Sequence, residues 1–152
     1  MLVFSELEME HSTKKTPEVV VLPSNYTSTA PSESFDDPLR GNVTWHTLFS
    51  QPSTPTAGLC TGVAVAPPRT GHLAAHWHAQ DEIYYILEGR GTVIIKGVKH
   101  QVKKGSAVFI PGNAEHEVIN DTGEELRWVY VFPTTAFSNV KYEFSHEVGK
   151  TN

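Results

Sequence analysis

The chain has 152 residues, 39% of them hydrophobic, and a formal net charge of −5, which fits one globular domain. The acidic balance excludes the basic surface of a nucleic-acid-binding protein, and the single cysteine, Cys60, excludes an internal disulfide. The N-terminus has no charged segment followed by an apolar run, so the sequence predicts no signal peptide or membrane span and a cytoplasmic location is expected.

Residues 1–40 are predicted to form an extended N-terminal arm, partly disordered or exchanged as strands with a partner subunit. Seven acidic side chains against three basic ones give this segment a net charge of −4, and it holds ten Ser or Thr residues and four prolines. Such a composition can bury little apolar surface. Two short apolar patches, Leu2–Phe4 and Val19–Leu22, could pair as strands with the body or with a partner; the alternative is a disordered tail.

Residues 41–152 are predicted to form a single all-β domain. Short runs rich in Val, Ile, Tyr, Phe and Trp alternate with glycine-containing turns, and no run keeps a helical period over three turns. The predicted strands are Leu59–Ala66, Glu82–Glu88, Thr92–Lys96, Val98–Val102, Ala107–Ile110, Glu117–Asn120 and Leu126–Phe132. Their spacing is typical of an antiparallel sandwich or barrel. The sequence shows no internal repeat, so one barrel is expected.

A cluster of potential metal ligands lies between two of these runs. His76 and His78 are two residues apart, so on a strand both imidazoles point to the same face. Glu82 follows four residues later and Tyr84 two after that. If the strand resumes in register, all four side chains share one face, whereas Trp77 points away from it. His-x-His alone is common by chance, and the added carboxylate makes the pattern more specific.

A further ligand must come from another strand, and His116 is the candidate because it follows the turn Pro111–Glu115. Three imidazoles and one carboxylate suit a divalent first-row ion; Fe(II) is favoured, and Mn, Ni, Co or Zn are compatible. The absence of thiolates argues against a structural zinc site. Four protein ligands on a six-coordinate ion leave two positions for substrate or water. The sequence therefore predicts a metal site formed by His76, His78, Glu82 and His116.

These residues resemble the two motifs of the cupin family. The first motif matches Gly71, His76-Trp77-His78, Glu82 and Gly89, and the second matches Gly105, Pro111-Gly112-Asn113, His116 and Asn120. Two departures are visible: Gly71 lies one residue closer to His76 than is usual, and Asn113 stands where the family commonly has glycine. Asn tolerates the left-handed conformation, so the turn is expected to survive. The resemblance implies a single jelly-roll β-barrel, residues 41–152, with the ion in its mouth.

Within that family, the chain looks most like the small cupins that cleave dimethylsulfoniopropionate to dimethyl sulfide and acrylate. They share its length, an extended N-terminal region and the run His-x-His-x-x-x-Glu-x-Tyr. In them the matching tyrosine is proposed to remove the proton next to the carboxylate, and that role falls on Tyr84 here. The resemblance thus implies a metal-dependent lyase acting on a small molecule. It also implies a homodimer, since cupins often pair through sheet faces and exchanged N-terminal strands.

The substrate is less well defined by the sequence. Trp128, Tyr130 and Phe132 share one face of a strand and could line a pocket, as could the cation Arg127; equally, the three aromatic residues could fill the core. Alternative functions therefore stay open. The chain could be an Fe(II)-dependent dioxygenase, an isomerase, cyclase or decarboxylase acting on an aromatic or polyketide-like metabolite, or a non-catalytic binding protein.

Overall fold

The computed structural model describes residues 16–149, and the regular secondary structure of this region is almost entirely β-strand. The only α-helix of this region has four residues, and no helix within it is long and apolar enough to cross a bilayer. The predicted patch Leu2–Phe4 lies outside the described residues. In chain order the elements are α1 (Tyr26–Thr29), β1 (Glu33–Ser34), a 3-10 helix (Pro38–Arg40), β2 (Thr44–Phe49), β3 (Cys60–Ala66), β4 (Gly71–Trp77), β5 (Glu82–Glu88), β6 (Arg90–Ile95), β7 (Val98–Lys103), β8 (Ala107–Ile110), β9 (His116–Asn120), β10 (Leu126–Phe132), a second 3-10 helix (Phe137–Asn139) and β11 (Glu143–Phe144).

The strands form two antiparallel sheets that enclose one core. The first, sheet A, has the order β1-β2-β3-β10-β5-β8, and the second, sheet B, has the order β11-β4-β9-β6-β7. Large side chains that are almost fully buried, such as Trp128 and Phe132 from sheet A and Phe144 from sheet B, fill the space between them. The predicted all-β class is confirmed. The sheets pack as two facing layers of a jelly roll and are not joined into one closed barrel.

All seven strands predicted from the apolar runs are present, with ends displaced by at most two residues. Two long strands, β2 and β4, were not among those runs. Strand β2 reads TWHTLF and β4 reads GHLAAHW, so neither carries the continuous β-branched run that marks a buried strand. Both are held by pairing with neighbours, β2 with β3 and β4 with β9, which is a tertiary contact that local composition does not encode.

The described part of the N-terminal segment runs along the outside of sheet A. The patch Val19–Leu22 carries no strand, and Val19 is 94% exposed. Further on, β1 pairs with β2, so residues 33–34 extend that sheet by one short edge strand. Phe35 then turns inward, and its ring centroid lies 4.9 Å from that of Trp45. This segment therefore closes one side of the space between the sheets.

Two turns follow the predicted backbone chemistry. Lys96 and Gly97 link β6 to β7 with φ angles of 50° and 78°, the left-handed pair that matches the twist of a tight hairpin. Asn113 has a φ of 65°, so asparagine does occupy the left-handed position at the turn before His116. The amide of Asn113 donates to the carbonyl of His78 at 2.7 Å. This hydrogen bond therefore joins the turn that precedes the strand of His116 to the loop that carries His78.

Gly62 in β3 is required by close packing inside sheet A. A Cβ atom there would overlap the hydroxyl of Tyr130 and lie 2.6 Å from the carbonyl oxygen of His46. We therefore expect Gly62→Ala to lower the free energy of unfolding by about 1–3 kcal/mol, measured from the midpoint of urea denaturation. Gly123→Ala is the matched control because nothing lies within 4 Å of its Cβ position. Equal midpoints for the two variants would contradict this account of the packing.

Candidate metal centre

The four predicted ligands converge at one end of the space between the two sheets. His76 in β4 pairs directly with His116 in β9, so these two imidazoles are neighbours within sheet B. His78 follows the end of β4. Glu82 begins β5, which belongs to sheet A and faces the histidines from the opposite side. The strand does not resume in register as expected; residues 78–81 carry the chain from one sheet to the other, and the ligands meet across the core.

The change of sheet has a visible cause in the loop. The carboxylate of Asp81 accepts a hydrogen bond from the amide of Gly112 at 2.7 Å, and the carbonyl of His78 accepts one from Asn113. The two motif loops are therefore fastened to each other. This fastening sets the distance between the His-x-His segment and the turn that precedes His116.

The polar groups of the centre are almost completely excluded from solvent. His76, His78, His116 and Glu82 are exposed by 0%, 2%, 1% and 3% of their surface. The ligand nitrogens of the three histidines lie within 4.8 Å of one another. One carboxylate oxygen of Glu82 lies 3.0 Å from Nε2 of His78 and 3.2 Å from Nε2 of His116. Buried polar groups at this density need a partner that satisfies all of them.

Backbone carbonyls orient all three imidazoles in the same way. Nδ1 of His76 donates to Ala74 O at 2.7 Å, and the equivalent bonds of His78 and His116 run to Gln80 O at 3.0 Å and Ala114 O at 2.8 Å. These bonds assign the proton to Nδ1 and leave the lone pair on Nε2, facing the centre. The Nε2 atom of His76 is buried without a hydrogen-bond partner in residues 16–149.

The chemistry of this donor set fits a divalent ion. Burial, and then the neighbouring His116, hold the pKa of His76 well below 6.5, so its imidazole is neutral as a metal ligand must be. The carboxylate adds one negative charge, and three imidazoles with one carboxylate match borderline first-row ions. Cys60 is buried, and that burial raises the pKa of its thiol to about 11, so it provides no thiolate. The residues present therefore fit the predicted metal.

A small cavity lined mainly by aromatic side chains adjoins Glu82. Its volume is about 30 Å³, close to the share of liquid volume that one water molecule takes. Tyr84, Trp128 and Tyr130 line it from sheet A. Further aromatic walls come from outside the predicted motifs, namely Phe35, Trp45, Phe137 and Tyr142. An aromatic wall facing one carboxylate offers two groups that attract positive charge.

Tyr84 lies inside this cavity, next to the centre. It is 2% exposed, and its ring centroid is 6.3 Å from that of His116 and 5.5 Å from that of Trp128. Burial, followed by the negative charge of Glu82, raises the pKa of its phenol well above 10. The side chains of the protein alone therefore keep Tyr84 protonated, and ionisation at neutral pH requires a positive charge near it.

The four predicted substrate-binding residues lie in different places. Trp128 and Tyr130 line the cavity, whereas Phe132 is fully buried and packs edge-on against His78 with ring centroids 5.1 Å apart. Arg127 points to the other face of β10, because side chains alternate along a strand. It lies 3.5 Å from the hydroxyl of Thr27 and 3.8 Å from the carboxylate of Glu125. The structure does not bring Arg127 to the cavity.

Tyr142 lies at the centre although no sequence motif indicates it. Its ring centroid is 4.9 Å from that of His76 and 5.3 Å from that of His78, and its ring stacks on Phe144. It also lines the cavity, so three tyrosines, Tyr84, Tyr130 and Tyr142, border the same space. The only signal in the sequence is the clustering of aromatic residues near the C-terminus, which local pattern cannot assign to a site.

Comparisons with known proteins agree with this architecture. A family model for the cupin domain matches residues 62–132. A dimethylsulfoniopropionate lyase, DddW of Ruegeria pomeroyi, is 38% identical over 110 residues, covering 72% of this chain and 70% of that protein.

Among solved structures, the polyketide cyclase RemF of Streptomyces resistomycificus superposes with a TM-score of 0.68 at 20% identity, covering 82% of this chain and 86% of that one. A structure reported for the dimethylsulfoniopropionate lyases RdDddP and RnDddQII gives a TM-score of 0.62 at 17% identity, covering 75% and 61%. At such low identities these two similarities show the fold alone.

Proposed function

Since the chain belongs to the cupin family, we propose that it is a metal-dependent lyase that cleaves dimethylsulfoniopropionate, or a closely related small carboxylate, by β-elimination. The observation that carries the proposal is the buried three-histidine, one-carboxylate centre, whose Glu82 lines the same cavity as Tyr84. The similarity to a lyase of Ruegeria pomeroyi supports the same reaction class. At about 30 Å³ the cavity must widen to admit any substrate, and it has to widen less for a small carboxylate than for a polycyclic molecule.

The residues of the metal centre and the aromatic walls of the cavity are the proposed binding groups. His76, His78, Glu82 and His116 would hold one divalent ion, with Fe(II) as the proposed native metal. Such an ion would supply positive charge beside the substrate carboxylate and the Tyr84 phenol, acidifying the adjacent C–H bond and favouring the phenolate. The aromatic walls would receive the sulfonium end of the substrate through their ring faces.

Tyr84 is the proposed proton acceptor. The bond between the α-carbon and its hydrogen breaks, and the proton passes to Oη of the Tyr84 phenolate. The electron pair of that bond becomes the carbon–carbon double bond of acrylate. The bond between the β-carbon and sulfur breaks, and its electron pair leaves on dimethyl sulfide. Tyr84 and Glu82 are buried, and this burial limits loss of the transferred proton to bulk solvent.

The test is an anaerobic assay of the purified full-length protein loaded with Fe(II). With dimethylsulfoniopropionate as substrate, we expect dimethyl sulfide in the headspace and acrylate in solution in equal amounts. Product that appears only with oxygen would contradict the lyase and favour an oxygenase. Binding of substrate without any product would contradict catalysis and favour a non-catalytic cupin. A cytoplasmic location is part of the same proposal, and fractionation of cells that express the protein tests it.

A further inference from the structure

Two polar atoms in the walls of the aromatic cavity are buried without a protein partner. They are Nε1 of Trp45 and the hydroxyl oxygen of Tyr130, and neither forms a hydrogen bond within residues 16–149. Both side chains line the cavity together with Glu82. Native proteins rarely leave a buried donor without an acceptor, because its interaction with water is lost and nothing replaces it. Nε2 of His76 is a third such atom at this site, and the proposed metal ion accounts for it. The other two need a different partner.

The side chains around Trp45 offer no acceptor for its indole N–H. Trp45 lies in β2 opposite Ala64, and its ring packs against Phe35 and Phe137 with centroid distances of 4.9 Å and 6.1 Å. All three of these neighbours are apolar. An indole N–H can only donate, so the partner that satisfies it must carry an acceptor such as a carboxylate or carbonyl oxygen.

The hydroxyl of Tyr130 lies above Gly62, in a row of residues that crosses sheet A. Tyr130 pairs with Tyr84 on one side and with Gly62 on the other, and Gly62 pairs with Thr47. The hydroxyl occupies the space that a Cβ atom of Gly62 would need. Thr47 gives its own hydroxyl hydrogen to Glu33 at 2.6 Å. Burial raises the pKa of the Tyr130 phenol further than the nearby Thr47 lowers it, so Tyr130 keeps its proton and can donate a hydrogen bond.

The donors of the cavity are uncharged. Among the described residues, none that lines the cavity is Lys, Arg or His, so its N–H and O–H groups are the ones that can bind an anion there. An ionised acceptor forms shorter and stronger hydrogen bonds with such donors than a neutral acceptor does. A carboxylate also has two oxygens, so one can face the metal centre at Glu82 while the other accepts from Trp45 and Tyr130. The unpaired donors therefore favour a carboxylate.

We propose that Nε1 of Trp45 and the hydroxyl of Tyr130 are the donors that bind the carboxylate of the substrate. The inference rests on the proposed lyase function for the identity of the substrate, and it adds two specificity-determining residues that lie outside the metal-binding motifs. Because both donors are buried, an analogue without the carboxylate leaves them unpaired, and the site discriminates against it. The product acrylate keeps the carboxylate, so a small unreactive carboxylate is a suitable probe of these donors.

Binding of propionate to the full-length protein loaded with Fe(II), measured by titration calorimetry without oxygen, tests the proposal. Propionamide is the uncharged probe of matched size, and the wild type is expected to bind propionate about 10-fold more tightly. Tyr130→Phe removes one hydrogen bond to a charged group and is expected to lower propionate affinity by about 10-fold. Tyr85→Phe, at a side chain that is 48% exposed, is the matched control and should bind propionate as the wild type does. Unchanged propionate affinity in Tyr130→Phe would overturn the proposal.

A second measurement observes the indole N–H of Trp45 directly and needs no change at Tyr130. In the protein loaded with Zn(II), which is diamagnetic, each of the three tryptophans gives one indole N–H signal by NMR, and Trp45→Phe identifies that of Trp45 by its loss. Propionate is expected to move the Trp45 proton signal downfield, because the N–H gains an anionic acceptor, and to leave that of Trp77, which does not line the cavity, in place. A Trp45 signal that moves no further with propionate than with propionamide would contradict the assignment.

Neither measurement depends on turnover, so the outcome is separate from that of the lyase assay. Propionate binding through both donors in a protein that releases no dimethyl sulfide would refute the proposed lyase and support the carboxylate site. Release of dimethyl sulfide by a protein whose Trp45 and Tyr130 donors do not respond to propionate would refute the carboxylate site and support the lyase.

Discussion

Replacing His116 by alanine is expected to empty the metal centre. His116 is 1% exposed, its Nδ1 is fixed by the carbonyl of Ala114, and its Nε2 lies 3.2 Å from the carboxylate of Glu82. Loss of a group that only hydrogen-bonds to a metal ligand already lowers metal affinity by about 10–100-fold. Loss of a ligand itself is therefore expected to lower metal affinity by more than about 100-fold. Elemental analysis after gel filtration should find about one ion per wild-type chain and almost none in the variant.

The matched control for this change is His72→Ala. His72 lies on the same strand as His76, but its side chain is 43% exposed and its Nε2 is 2.8 Å from the carboxylate of Glu117. A surface pair of this kind contributes little to stability. Added Fe(II) at about 100 times its dissociation constant should stabilise the wild type and the control by about 2.7 kcal/mol. His116→Ala should gain almost nothing, and an equal gain in all three proteins would contradict the assignment.

The four residues of the candidate metal centre could be grouped from the sequence because their signal is local. Two histidines separated by one residue must share a face of a strand, and a histidine that follows a glycine-containing turn, as His116 does, is confined to the end of a strand. The structure places His76, His78, Glu82 and His116 together. The spacing could not predict which strand carries Glu82 to the centre, since Glu82 lies in β5 of sheet A and not on a continuation of β4.

The walls of the cavity were beyond prediction for a different physical reason. Phe35 and Trp45 come from the N-terminal part of the chain and Tyr142 from its C-terminal part, and they meet only because β1 pairs with β2 and β11 pairs with β4. Such contacts depend on the complete topology. In contrast, Trp128 and Tyr130 could be grouped by their alternation within β10 alone. The same alternation places Arg127 on the outer face, which makes it a poor candidate for substrate binding.

The proposed base can be tested with two adjacent tyrosines on opposite faces of one strand. Tyr84 is buried beside the centre, and Tyr85 is 48% exposed on the outward side of β5. Tyr84→Phe is expected to keep one ion per chain and to lower kcat by about 10²–10⁴-fold, the usual contribution of a positioned acid or base. Tyr85→Phe is expected to retain full activity.

A second measurement separates proton transfer from packing in the Tyr84→Phe variant. Phenylalanine keeps the ring that lies against Trp128, so the walls of the cavity and KM should change little. Exchange of the substrate α-hydrogen with D₂O, followed by NMR, reports removal of the proton without requiring the carbon–sulfur bond to break. If the base assignment is correct, any exchange seen with the wild type disappears in Tyr84→Phe and persists in Tyr142→Phe, a change at another tyrosine that lines the same cavity. A larger loss in Tyr142→Phe would instead assign the proton acceptor to the C-terminal segment.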